Sequence, residues 1–331
     1  MKKILEKLFE HKTLSRQEAF EVLYDLGKGS YNEHAITAFM TVFLMRSITI
    51  EELHGFRDAL MELCVPAYLE GEDLLDIVGT GGDGKHTFNI STLASFVVAG
   101  AGQKVAKHGN YGASTISGAS NVMEQIGYRF SNESDKLRSE LEKTGICFLH
   151  APLFHPALKQ VAQIRKNLGI RTFFNMLGPL VNPAKPAYQL IGVFSLEMAR
   201  IYQYFLQQTD RRYTIVHGLD GYDEIALTND TRVITPKGSF NQSPEQLGKR
   251  RVFPEDLRGG DSVEEAAAIF MRILRGEGSW AQQAVVLANA ASGLFTTGKY
   301  SNYEDAYQAA VESLDSGKAY QTLQTLISLQ K

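Results

Sequence analysis

The run Asp76-Ile-Val-Gly-Thr-Gly-Gly-Asp-Gly-Lys-His-Thr-Phe-Asn-Ile-Ser-Thr92 sets four glycines, Gly79, Gly81, Gly82 and Gly84, among acids, hydroxyls and amides. Glycine permits positive φ and lets backbone N–H groups approach an anion closely. Ser91 and Thr92 stand where a helix N-terminus would offer hydroxyls to phosphate or metal, and Asn89 adds an amide for sugar or phosphate oxygens. The chemistry this suggests is retention of a phosphorylated ligand, although a tight turn uses glycines too. The loop is read as neither the G-x-x-x-x-G-K-[ST] phosphate loop nor the dinucleotide G-x-G-x-x-G turn, so neither an ATPase nor a dehydrogenase is expected.

A second run, Lys107-His-Gly-Asn-Tyr-Gly-Ala-Ser-Thr-Ile-Ser-Gly-Ala-Ser120, offers the same kind of groups. Lys107 supplies a positive charge, the amides from Gly109 to Thr115 are neutral donors, and Ser114, Thr115 and Ser117 add hydroxyls. A solvated loop of turn formers is the competing explanation. Farther on, Asp223 and Glu224 are adjacent carboxylates after an apolar strand-like stretch. Such a pair repels itself unless a cation intervenes, and Mg²⁺ takes one or two carboxylates together with substrate phosphates. Adjacent acids on a solvated surface are the alternative.

The elements around these runs read as strand, loop, helix. Leu74–Val78 and Gln103–Ala106 are strand-like; Leu93–Ala101 and Asn121–Ile126 are helical, the latter ended by Gly127. In a parallel sheet both loops emerge on the edge where ligands bind. Gln189–Phe194, Tyr213–His217 and Thr231–Thr235 read as further strands, with a helix over Leu196–Gln208. Residues 1 to about 65 read as wholly helical, with capping boxes at Ser15, Ser30 and Thr49; Ser262 and Ser301 start later helices, and Gly317 caps the last of these. The expected fold is a two-domain α/β protein: a small all-helical N-terminal domain and a large α/β domain with a mostly parallel sheet flanked by helices. The boundary falls near residue 70, giving domains 1–70 and 71–331.

At 331 residues the chain can bury a large core, and its net charge of −3 supplies no basic field for nucleic acid. No apolar run is long enough to span a membrane, and the N-terminus turns polar too early for a secretory signal. Cys64 and Cys147 are too few for a disulfide framework or a zinc site, which fits a reducing cytoplasm; Cys147 reads as a core residue.

The blocks Gly79–Gly84, Thr87–Thr92, Lys107–Asn110 and Ser117–Glu124 closely resemble the GTGGDG, T-F-N-x-S-T, K-H-G-N and S-G-x-x-x-x-x-E pattern of the anthranilate phosphoribosyltransferase family. The resemblance continues through Ala151–Ala157, Arg165, Leu168–Pro183 and His217–Glu224, in order and over nearly the whole chain. It implies a helical domain joined to an α/β domain with the active site in the cleft between them, a helical segment near 165–185 returning to the small domain, and a homodimer through that domain, to which Phe39–Leu44 could contribute. It implies transfer of the 5-phosphoribosyl group from phosphoribosyl diphosphate (PRPP) to the amine of anthranilate in tryptophan biosynthesis.

The resemblance places PRPP against Gly79, Gly82, Asp83 and Thr87, then Asn89, Ile90, Ser91 and Thr92, then Lys107, His108, Gly109 and Asn110, and finally Tyr111, Gly112, Ala113, Ser114, Thr115 and Ala119. Anthranilate is expected at Gly79, Asn110 and Arg165, the guanidinium pairing with its carboxylate. Two Mg²⁺ ions are implied, with Ser91, Asp223 and Glu224 as protein ligands. No acid or base is assigned, because the anthranilate amine is already neutral. The chain departs from the family pattern at Tyr111, where Arg is common, at Thr115, where Ser is common, and at Asn121, often Asp. A pyrimidine nucleoside phosphorylase is the nearest alternative, sharing the fold and similar glycine loops; those enzymes carry K-x-S-T-G-G-V-G-D-K and an added C-terminal domain. A nucleic-acid-binding relative of the fold would need a basic groove and would lack the acid pair.

Overall fold

The computed structural model describes residues 1–69, 73–112 and 117–330. The chain divides into two compact units, one of Met1–Pro66 with Ala151–Lys185 and one of Ala67–His150 with Pro186–Lys331. The stretch grouped with the N-terminal helices thus begins at Ala151 rather than near residue 165.

The first unit is built on helices Lys2–Phe9, Arg16–Gly27, Glu33–Met45 and Ile50–Glu62. Capping boxes at Ser15 and Thr49 start two of them as expected. The third starts at Asn32, not Ser30: the Asn32 side chain accepts from the Ala35 amide, while the Ser30 N–H is used in a turn to Asp25. Asn is as good a cap as Ser, so the choice falls to the residue whose backbone is already extended. Phe39, Met40 and Phe43 are buried in this unit's own core, where Phe39, Phe43 and Phe56 surround Phe173 with ring centroids 4.8–6.0 Å away. Of the Phe39–Leu44 stretch, Leu44 is among the unit's exposed large apolar residues. Helix Lys159–Leu168 buries Val161 and Ile164 and leaves Arg165 half-buried beside them.

The second unit carries a seven-stranded sheet: β1 (Leu75–Gly79), β2 (Val105–Gly109), β3 (Ile146–His150), β4 (Tyr188–Gly192), β5 (Arg212–Gly218), β6 (Thr231–Thr235) and β7 (Gly238–Gln242). Their order is β3-β2-β1-β4-β5-β6-β7. The first five strands in that order run parallel, and β6 and β7 add antiparallel pairs. Helices Ile90–Gly100 and Trp280–Thr296 are buried nearly all round, which their small, apolar sequences permit. Cys147 is fully buried in β3. The later helices start at Ser262, as expected, and at Asn302 rather than Ser301, whose hydroxyl is bonded to Asp305. Gly317 takes φ +77° between the last two helices.

Strand order reverses direction between β1 and β4, and ligands of open α/β sheets bind outside the carboxyl ends of strands at such a point. There Gly79 pairs with Gly192. A Cβ on Gly192 would lie 1.6 Å from the Asp223 carbonyl oxygen, and one on Gly79 would lie 2.5 Å from the Asp223 carboxylate. The absent side chains are the space into which the acid pair folds. Gly192→Ala is therefore expected to destabilise the protein by about 1–3 kcal/mol, the range for overpacking, as read by urea unfolding.

Candidate functional site

Asp223 and Glu224 follow β5, on the turn that Gly218 and Tyr222 close. The Asp223 carboxylate accepts from the Gly81 amide at 2.6 Å, in the loop after β1. Glu224 accepts from the Ser91 amide at 3.0 Å, in the first turn of helix Ile90–Gly100, and from the Thr87 hydroxyl at 3.4 Å. Helix N-termini favour negative charge and carry unpaired N–H groups, so the contact to Ser91 is electrostatically apt. Asp223 is buried, Glu224 is part-exposed, and Asp83 is in hydrogen-bonding contact with Asp223.

Asp223 and Glu224, adjacent and with Asp83 beside them, cannot both ionise without help. Burial, then repulsion from Asp83, pushes Asp223 up to about 7. Burial and then Asp223 push Glu224 well above the usual carboxylate range. Among the described residues no group of three or more His, Cys, Asp or Glu forms a ready metal cage. The donor set nevertheless fits Mg²⁺, which prefers hard oxygens and completes its shell with water and substrate phosphate.

Lys107 is buried beneath this cluster. Its ammonium donates to the Ile77 carbonyl at 2.6 Å and to the Ser91 hydroxyl at 3.3 Å. Burial pulls it down to about 8, opposed by the charges of Asp76 and Glu224. Lys107 and Ser91 thus meet below the loop after β1. His108 follows, buried, its amide on the Asp76 carboxylate at 3.3 Å.

The remaining expected residues gather along the same strand ends. Gly81, Gly82 and Gly84 all have positive φ, the conformation in which successive N–H groups can face an anion. Asp83 accepts from the Lys85 amide, and Asn89 donates to the Ser117 carbonyl at 3.2 Å, tying the first loop to the second. Ile90 is buried and Thr92 carries a buried hydroxyl with no protein partner. Gly109 ends β2, Asn110 and Tyr111 are exposed, and Gly112 precedes Ala113, Ser114 and Thr115, which lie outside the described residues. Ala119 opens helix Ala119–Gln125. Tyr111 donates to Glu124 at 2.9 Å and sets its ring edge on His150.

In the helical unit, Arg165 donates to Asn175 at 3.3 Å with its guanidinium over the Phe174 ring. Burial lowers its proton affinity, and no carboxylate is among its hydrogen-bond partners described here. A half-buried guanidinium with spare donors is suited to an anionic ligand.

Three contributors escape the sequence reading. Gly192 is visible only as a glycine ending a strand, a sign of close backbone approach. Lys85 packs its ammonium 4.6 Å from the Tyr222 ring centroid, joining the glycine loop to the acid-pair turn. Leu257–Gly259 pairs with His86–Phe88 through Phe88 to Leu257 and Gly259 to His86 hydrogen bonds, from about 170 residues away in the chain. Glycine spacing alone does not exclude a dinucleotide turn, since Gly79, Gly81 and Gly84 have G-x-G-x-x-G spacing. The structure argues against it, because the helix opens only at Ile90, beyond the loop.

Models of two families match the chain: the glycosyl transferase family helical bundle domain over residues 2–64 and the glycosyl transferase family a/b domain over residues 71–320. An anthranilate phosphoribosyltransferase of Flavobacterium psychrophilum is 54% identical over 329 residues, 99% of each chain. That of Christiangramia forsetii is 51% identical over the full length of both. Among solved structures, the anthranilate phosphoribosyltransferase of Thermus thermophilus superposes with a TM-score of 0.92 at 35% identity, covering 98% of each chain. The Saccharomyces cerevisiae enzyme in complex with PRPP and Mg gives 0.89 at 27% identity, over 98% of this chain and 96% of that one.

The acid pair has a signed pH signature. A folded-state pKa raised above the unfolded value contributes stability that is present at low pH and is lost as pH rises through the folded value. Metal-free protein is expected to lose thermal stability from about pH 5 to about pH 7.5, and Asp223→Asn is expected to flatten that loss. Melting curves in a chelator across this range, for both proteins, check it.

Proposed function

The chain belongs to the anthranilate phosphoribosyltransferases, and we propose that it transfers the 5-phosphoribosyl group from PRPP to the amine of anthranilate, releasing diphosphate, in tryptophan biosynthesis. The observation that supports this reading is the acid pair bonded to the Gly81 and Ser91 amides, with its carboxylate oxygens beside the glycine-rich loop after β1 at the switch point of the sheet.

The proposed PRPP site comprises Gly79, Gly82, Asp83 and Thr87, the helix start Asn89–Thr92, and the second loop from Lys107 through Thr115, with Ala119. Two magnesium ions are proposed, with Ser91 on one and Asp223 and Glu224 on the other. When bound, magnesium neutralises charge on the diphosphate oxygens. Cleavage of the C1–oxygen bond leaves positive charge on the ribose and negative charge on the departing diphosphate. The loop amides and helix N-terminus donate to the diphosphate oxygens, and the positive charge of Lys107 stabilises the negative charge that develops there. Ser91 and Thr92 orient the phosphates with hydroxyls, and Arg165 pairs with the anthranilate carboxylate. Gly79 and Asn110 are proposed to line the aromatic acceptor. The amine needs no base, so the rate comes from orientation and electrostatics.

We also propose a homodimer through the helical unit, whose exposed Phe9, Leu44, Met45 and Ile170 are apolar, with Met45 88% exposed. A reducing cytoplasm suits the free thiols of Cys64 and Cys147.

Loss of anthranilate fluorescence on mixing with PRPP and Mg²⁺ tests the reaction. The account expects a magnesium-dependent loss that an Asp223→Asn/Glu224→Gln double variant lacks. No loss from folded wild type, together with phosphate-dependent cleavage of thymidine or uridine, would instead favour a nucleoside phosphorylase. Arg165→Ala is expected to raise KM for anthranilate about tenfold to a hundredfold, the equivalent of a charged hydrogen bond of roughly 1.5–3 kcal/mol, in steady-state kinetics. Tyr111→Arg should tighten PRPP binding at low salt; unchanged affinity and salt dependence would contradict a charge effect at this position.

A further inference from the structure

The chain leaves the sheet at Gly109 and enters helix Ala119–Gln125 through Gly118, and between the two Gly112 and Gly118 are pressed together. A Cβ on Gly118 would lie 2.1 Å from the Gly112 nitrogen and 2.6 Å from the Tyr111 carbonyl carbon. Only a residue without a side chain fits at that neck. Both ends donate to one atom: Asn121 Oδ1 accepts from the Gly112 amide at 3.1 Å and from the Gly118 amide at 3.0 Å.

Asn121 stands at the third position of helix Ala119–Gln125, so accepting from the Gly118 amide alone would be ordinary helix capping. The bond from Gly112, nine residues earlier in the chain, is not. A side-chain carbonyl has two lone pairs, and both are spent on closing the neck. One turn on, Glu124 takes the Tyr111 hydroxyl at 2.9 Å, so the same helix face holds the outgoing chain twice. Behind Tyr111, His150 is fixed by the Ser120 hydroxyl at 2.9 Å and by stacking on Phe130. On the returning side, Ser117 offers its carbonyl to Asn89 of the first loop.

We propose that Asn121 is a positioning residue for PRPP: its carbonyl closes the neck between Gly112 and Gly118 and so holds Lys107–Asn110 and the Asn89-linked Ser117 at a fixed spacing. The proposal rests on the reading of Lys107–Asn110 as part of the PRPP site. Asn121 is assigned no contact with substrate, because both lone pairs of its carbonyl are used within the chain. Holding these residues in place before PRPP arrives spares binding the cost of ordering them, which is how preorganisation raises affinity.

Two measurements on Asn121→Leu separate the clasp from the functional reading. The first is amide hydrogen exchange of peptides containing Gly112 and Gly118 in substrate-free protein. Exchange there is expected to accelerate about tenfold or more on loss of the shared acceptor, and to stay slow in Asn121→Asp, which keeps an acceptor oxygen. The second is steady-state kinetics: KM for PRPP is expected to rise about tenfold in Asn121→Leu and to stay within about threefold of wild type in Asn121→Asp, a rescue by the acceptor oxygen that general destabilisation does not produce. Gly118→Ala, which wedges the neck open from the other side, is expected to give the same pair of results and serves if Asn121→Leu does not fold. Unchanged exchange in folded Asn121→Leu overturns the clasp. Faster exchange with unchanged KM for PRPP overturns its positioning role. Wild type that fails to bind PRPP overturns the functional reading and the positioning role with it, and exchange alone then judges the clasp.

Discussion

The architecture of the α/β unit turns on two carboxylates that reach sideways across a strand. Asp223 and Glu224 leave β5, pass over the end of β4, and bond to amides in the loop after β1 and in the helix that follows it. That reach requires β4 to end in glycine at Gly192 and β1 to end in glycine at Gly79. It also requires the loop after β1 to present N–H groups inward, which the positive φ of Gly81 and Gly82 provides. Sheet order, glycine placement and helix start are thus parts of one constraint.

That constraint leaves the site electrostatically incomplete. Asp83, Asp223 and Glu224 crowd one region, and the cation facing them from below, Lys107, is itself desolvated. Protons relieve Asp223 and Glu224 in the metal-free chain, which is the physical meaning of their raised proton affinities. A divalent cation would relieve them better at neutral pH, and it would also make the region hospitable to phosphate, which the carboxylates alone would repel.

Local chemistry was the legible part of the sequence. The capping boxes at Ser15 and Thr49, the N-cap at Ser262, the strand Thr231–Thr235 and the buried Cys147 follow from periodicity and short-range propensity and are found where expected, and β1, β4 and β5 lie within two residues of their expected bounds. Ser30 and Ser301 show the limit of that method: each has an asparagine one or two residues on, and the structure uses the asparagine. Strand ends such as β2, expected over Gln103–Ala106 and found at Val105–Gly109, shift because pairing with β3, not propensity, sets the register. Contacts between distant segments were not legible. Nothing local to Gly192 announces the Asp223 carbonyl above it, and nothing near Leu257–Gly259 announces that it pairs with His86–Phe88. The double acceptance at Asn121 is invisible for the same reason, since half of it is a helix cap and the other half depends on how a loop closes.

The account's central claim is that the acid pair and the two glycine-rich loops form one metal-and-diphosphate site. The most direct test is a crystal structure of the protein with PRPP and Mn²⁺ in place of Mg²⁺, with the metal located by anomalous scattering. The account predicts one manganese peak coordinated by the Asp223 and Glu224 carboxylates, a second at the Ser91 hydroxyl, and the diphosphate against the amides of the loop after β1. Manganese bound away from these residues, or PRPP seated elsewhere on the sheet with the acid pair still bonded only to Gly81 and Ser91, would contradict it.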